Sequence, residues 1–177
     1  MSTEQLYLDS IRRQFNAYKT LGDHCLQQLT EEEINRSPAS GSNSIAIIVQ
    51  HMHGNLMSRF TNFLTEDGEK PWRQRDLEFT AARLLQPADL LQLWNEGWAC
   101  LFTTLDSLQP TDLTKTVTIR TEPHAALDAI NRQLAHHSSH VGQIILLTKM
   151  YKAENWQSLS IPRGQSRSFN EKMGQKT

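Results

Sequence analysis

The segment LAHHSSHVGQI, residues 134–144, sets three histidines into a run whose remaining spacing is that of an amphipathic helix. Each helical residue advances about 100°, so His136 and His140 stand about 40° apart, one turn above the other. They share a face with Ala129 and Leu147, whereas Asn131, Ser138 and Lys149 form a polar arc on the opposite side. This places both imidazoles on the inward side of a helix. An i, i+4 pair of inward imidazoles has the spacing of two helical metal ligands. The same spacing also suits two buried neutral histidines that bond each other or a backbone carbonyl. His137 sits nearer the middle of the apolar arc, and a packing role is expected for it.

Working outward, apolar-periodic runs predict three more long helices. The first covers Ser2 to Leu29, with Ser2 and Gln5 forming a capping-box start. A turn region, TEEEINRSPASGSN, follows, and a second helix runs from about Ser44 to Leu64. Residues 65–86 form a long connection, where bundle helices are usually joined by roughly 2 to 8 residues. The third helix opens at Pro87, carries Trp94 and Trp98 as core residues, and ends near Leu108 before Pro110. Residues 113–121, LTKTVTIRT, alternate in character and read as a short extended segment. Pro123 then opens the fourth helix, which ends near Tyr151 or Lys152, and the polar remainder reads as a tail of low order. The expectation is a single all-α domain over residues 1–177. It is a four-helix bundle with a long crossover loop, a short extended segment before helix four and an irregular C-terminal tail.

Composition narrows the function classes. The chain has 177 residues, 18 basic and 19 acidic, for a net charge of −1, so no charge excess advertises nucleic acid or a membrane surface as a partner. No apolar run reaches membrane-spanning length and no leader pattern opens the chain, so a cytoplasmic protein is expected. The cysteines, Cys25 and Cys100, are far apart and lack metal-knuckle spacing; they read as small hydrophobes. A di-iron carboxylate bundle would need paired Glu-x-x-His motifs, and haem attachment would need CxxCH; neither pattern occurs.

A third ligand for the helix-four pair must come from another helix, and QHMHGN offers His51 and His53. The stripe Ile45, Val49, Met52, Leu56, Phe60 and Phe63 centres nearer His53, so periodicity alone selects His53 as the inward residue. Gly54 and Gly142 each interrupt a helix within a turn of the candidate ligands, at about 1 kcal/mol relative to alanine, and suggest close backbone approach or room for a bound group.

HMHGN, the VTI before the last helix and the HxxxHVGQI within it together resemble the DinB-like (DinB/YfiT) superfamily of metal-binding four-helix bundles. DGEKPWRQRDLEF at residues 67–79 and LSIPRGQSRSFN at residues 159–170 point to a largely uncharacterised branch. The resemblance implies a divalent metal held by His51, His136 and His140, which reverses the periodicity-based choice of His53. The superfamily's HxxHHxGQ pattern stands here as HHSSHVGQ, with Ser139 in place of a histidine and Val141 where arginine is common. Three imidazoles suit zinc or nickel foremost, with cobalt and iron also compatible, and leave coordination positions open. Gln143 and Asn55 are candidates to orient a ring or a bound water. Arg163 to Arg167, together with Trp72, Arg73 and Arg75, are candidates to line the mouth of the site.

The resemblance further implies a thiol S-transferase-like enzyme that activates a low-molecular-weight thiol against a small-molecule electrophile. The alternatives are a metal-dependent hydrolase, which lacks a glutamate within the histidine motifs, and a non-catalytic metal-binding or small-molecule-binding bundle. A homodimer through exposed helix faces is a further expectation.

Overall fold

A computed structural model describes residues 1–80 and 84–174. Residues 81–83, inside the connection read over 65–86, and residues 175–177, at the end of the predicted tail, lie outside the described residues. The described chain is mostly helical, with one two-stranded sheet.

Helix α1 spans Thr3–Leu26, and the Ser2 hydroxyl accepts from the Gln5 backbone N–H at 3.2 Å, as the capping pattern predicts. A short α2, Glu31–Asn35, lies in the region read as a turn. It is held by a capping box in which Thr30 and Glu33 satisfy each other's backbone N–H groups, a local device invisible to a periodicity count. Helix α3, Ile45–Phe60, is capped by Ser44 and stops short of the predicted Leu64 because Asn62 turns the chain at a φ of 51°. Helix α4 runs Pro87–Ser107, with Pro87 in its first turn as expected. Helix α5, Ala126–Lys152, carries the histidine segment.

Between these helices the chain differs from the expectation. The long connection contains a 3₁₀ turn, Arg75–Phe79, and a second such turn covers Pro110–Thr114. The extended segment is narrowed to strand β1, Thr116–Ile119, and it has an antiparallel partner, β2, at Glu122–Ala125. Pro123 therefore lies in a strand opposite Thr118, and α5 begins three residues after it. The turn between the strands places Arg120 and Thr121 at φ 55° and 67°. Two consecutive left-handed residues make a tight hairpin turn whose twist matches the strands. Such turns favour Asn-Gly, and here the left-handed residues are held from outside. Asp67, in the long connection, accepts the Arg120 N–H at 2.9 Å and the Thr121 N–H at 2.8 Å. The next residue, Gly68, donates its N–H to the Thr118 carbonyl at 2.8 Å. In the predicted tail, a helix α6 forms at Ser166–Gly174, and none of its residues is buried.

One apolar core joins the four long helices. α3 packs chiefly on α4, and α1 chiefly on α5. The predicted stripe on α3 is buried throughout, and Trp94 and Trp98 are 2% and 0% exposed. The Trp94 indole N–H donates to Asp23 at 2.6 Å. Cys25 and Cys100 are free thiols, and burial pushes Cys25 up to about 11. No helix among the described residues is long and apolar enough to cross a membrane.

Candidate metal centre

Helices α3 and α5 bring His51, His136 and His140 together, and one ring nitrogen from each lies within 4.8 Å of the others. His51 Nε2 is 3.3 Å from His136 Nε2, and the rings of His51 and His140 are 5.0 Å apart. His51 is buried, whereas His136 and His140 are partly open.

The outer ring nitrogens are anchored. His51 Nδ1 lies 2.8 Å from Glu78 Oε2. A carboxylate only accepts, so Nδ1 carries the proton and the lone pair is on Nε2, facing His136. His140 Nδ1 meets Gln143 Oε1 at 3.2 Å, which likewise leaves its Nε2 as the acceptor. Glu78 is fixed in turn by Arg73, whose Nε and Nη2 donate to its two oxygens at 2.7 and 2.9 Å. Burial pushes the Glu78 carboxyl upward, but the bonds from His51 and Arg73 outweigh it and hold the group below the usual carboxylate range. Phe79 covers the His51 ring at 4.8 Å, and the Arg75 guanidinium lies over Phe79 at 5.0 Å.

Burial foremost, then the neighbouring His140 and His51 and the cations Arg73 and Arg59, lower His136 to about 4. His140 is lowered by burial, against the bond from Gln143. Two neutral imidazoles whose lone pairs converge repel each other unless a proton or a cation lies between them. A tetrahedral metal at about 2.0–2.1 Å from each nitrogen separates two ligands by about 3.3 Å. The His51–His136 spacing fits that geometry, and the donor set fits a borderline divalent cation.

The periodicity-based choice of His53 fails. His53 is half-buried and turns to Glu96 of α4, with Nε2 3.4 Å from the carboxylate. The apolar stripe of α3 faces the core, where α4 packs most heavily, so its centre points away from the α3–α5 seam that His51 enters. His137 is wholly buried and its ring lies 6.0 Å from that of Trp98, in keeping with a packing role.

Gly54 sits where a Cβ would come 2.2 Å from Glu78 Oε1, so the glycine makes room for the carboxylate that anchors His51. Gly142 is exposed, and a Cβ there would meet nothing within 4 Å, so no close approach explains it. Gln143 contacts His140 as expected, whereas Asn55 makes no hydrogen bond with a histidine among the described residues. Arg73 is spent on Glu78 rather than offered to a substrate. Arg163 borders a surface groove with Leu21, Ile145 and Lys149, and Arg167 pairs with Glu171 at 3.0 Å, so the contacts of these two arginines lie elsewhere. Glu78 was missed because a contact between a long connection and a helix 27 residues earlier leaves no periodic trace.

No curated protein and no solved structure matches the chain. A family model matches residues 2–165, the whole of the chain that builds the long helices and the histidine cluster, and the protein therefore belongs to the family described as protein of unknown function DUF1572.

Proposed function

We propose that His51, His136 and His140 hold a divalent metal, zinc or nickel, at the centre of a DinB-like four-helix bundle, and that the protein is a thiol S-transferase-like enzyme acting on a small-molecule electrophile. The observation that carries this reading is the convergence of three imidazole nitrogens from two helices within 4.8 Å, with Nδ1 of two of them engaged by Glu78 and Gln143. When bound, the metal supplies Lewis acidity that lowers a thiol from its ordinary value of about 8.5 and makes thiolate available at neutral pH.

The chain's own contribution is to aim the three rings and to disfavour the charged form of two of them. Depressed protonation of His136 and His140 favours the neutral imidazole of each, with one ring nitrogen left as a lone-pair donor. Glu78, locked by Arg73, fixes the tautomer and tilt of His51. Phe79 shields the His51 side, so ligands approach from the half-open side of His136 and His140. A hydrolase would need a carboxylate free to take a proton from water. Glu78 is a poor fit for that role, because both of its oxygens are occupied and it is held ionised.

Elemental analysis of the purified protein tests the metal. About one equivalent is expected in the native chain, falling well below stoichiometric in His51→Ala, His136→Ala and His140→Ala, with His53→Ala and His137→Ala retaining it. Retention in His51→Ala with loss in His53→Ala overturns the site. A thiol-conjugation assay with the metal-loaded protein then tests the transferase reading.

A further inference from the structure

The stretch LSIPRG, residues 159–164, takes no part in the histidine cluster, yet it is fastened to the helices. The chain leaves α5 through Ala153, at φ 46°, and a 3₁₀ turn, Ala153–Asn155. It is then tied to the end of α1. The Gln157 backbone N–H donates to Gln28 Oε1 at 3.0 Å, and Gln28 Nε2 donates to the Gln157 carbonyl at 3.4 Å. Trp156 and Leu159 pack against the core. Arg163 and Gly164 form the corner of a turn that the Gln165 N–H closes on the Pro162 carbonyl at 3.0 Å. Gly164 stands there at φ 83°, the left-handed position that such a turn reserves for glycine.

Between this segment and helices α1 and α5 lies a groove of about 820 Å³, within the range of roughly 300–1,000 Å³ that small-molecule sites occupy. Leu21, Ile145, Trp156 and Leu159 give it half-buried apolar walls. Ile161 also lines it and is 37% exposed. Two cations join the lining, Lys149 from the last turn of α5 and Arg163 from the corner of the turn, and no carboxylate belongs to it. Neighbouring cations are paired: Lys152 with Glu33 at 2.6 Å and Arg167 with Glu171 at 3.0 Å. Among the described residues, Lys149 and Arg163 have no hydrogen-bond or ion-pair partner.

An inorganic anion in this groove would leave its apolar walls open to water, and a neutral apolar molecule would leave its cations unmatched. An amphipathic anion answers both. Apolar walls keep water from one side of each cation, so a carboxylate placed there is screened less than on open surface. A guanidinium can also hold it through two parallel bonds.

We propose that the groove between α1, α5 and residues 156–163 binds a small amphipathic monocarboxylate, its acyl chain lying on Leu21, Ile145 and Trp156 and its carboxylate at Lys149 and Arg163. The groove shares no residue with the histidine cluster, so this inference stands or falls separately from the metal reading.

Calorimetric titration of the full-length protein with octanoate, 1-octanol, inorganic phosphate and phosphatidylglycerol vesicles tests it. Octanoate is expected to bind at least about 10-fold more tightly than 1-octanol, the scale of one hydrogen bond to a charged group. Phosphate and vesicles are expected to bind more weakly than octanoate. In the double variant Lys149→Gln, Arg163→Gln, which alters exposed positions only, the preference for octanoate falls to near 1 and metal content stays native. Octanoate is also expected to change the tryptophan emission of the native chain and not that of Trp156→Phe, which locates it among the four tryptophans. Equal affinities for octanoate and 1-octanol, a preference that survives in the double variant, or an emission change that survives in Trp156→Phe overturns the proposal. Phosphate bound as tightly as octanoate, or vesicles bound without free octanoate, overturns it in favour of a plain anion patch or a lipid surface.

Discussion

At the scale of the residue, Glu78 decides how the cluster behaves although it sits on neither histidine helix. It holds the His51 ring, is held by Arg73, and occupies the space that Gly54 leaves free. Truncation in Glu78→Ala frees the ring and strips the Arg73 guanidinium of its carboxylate partner. Metal affinity is expected to drop 10–100-fold, about the usual cost of losing a ligand's orienting partner, as read by competition with a chelating dye. Gly54→Ala leaves every one of these groups in place but drives a methyl into Glu78. It is expected to weaken metal in the same direction as Glu78→Ala, and unchanged affinity in Gly54→Ala would show that the carboxylate shifts without consequence. These relations were only half legible in the sequence. The i, i+4 pair His136 and His140 follows from helical geometry alone, and Gln143 from its place one turn away. His51 required the family resemblance, because the wheel reports where the apolar core lies and not which seam admits a polar ring.

At the scale of the element, the hairpin is the strained part of the fold. A β-branched residue, Thr121, sits at φ 67° beside Arg120 at 55°, where a backbone of this kind costs about 1–3 kcal/mol per residue. Asp67 offsets this by taking both backbone N–H groups. The bond from the Glu69 backbone foremost, with those from the Thr121 and Arg120 backbones, holds its carboxyl far below its ordinary 3.8, against the opposing effect of burial. The direction of the linkage follows: a carboxyl depressed in the folded chain stabilises it above pH 3.8, and that contribution is lost as pH falls below this value. Asp67→Asn is therefore expected to lower Tm at pH 7, where the carboxylate is charged, and to narrow its gap to the native protein as pH is taken toward 3. A constant gap across that range in thermal melts would assign the effect to shape rather than charge. The alternation in LTKTVTIRT exposed the first strand, but its partner contains Pro123, which reads equally well as a helix start. Only the register, with Thr118 opposite Pro123, separates the two.

At the scale of the whole molecule, periodicity located the four long helices to within a few residues at most ends, because each buries a continuous apolar face in one core. It missed α2, the 3₁₀ turns and α6, which are short, rest on caps or local turns, and contribute little apolar surface. The α6 residues are all exposed and follow the stretch that the family model matches. Removing residues 166–177 is therefore expected to leave Tm and metal content unchanged; a fall of more than about 2 °C in a thermal melt would show that the tail braces the domain. The distance in sequence between the converging rings has one more consequence. His51 and His136 are 85 residues apart, and the latter belongs to the last long helix. A ribosome must translate past residue 140 before the trio can assemble, so a chain terminated before residue 136 offers one of the three imidazoles. Ion capture would thus act as an inspection, passed only by molecules that have been translated through the last long helix and correctly folded.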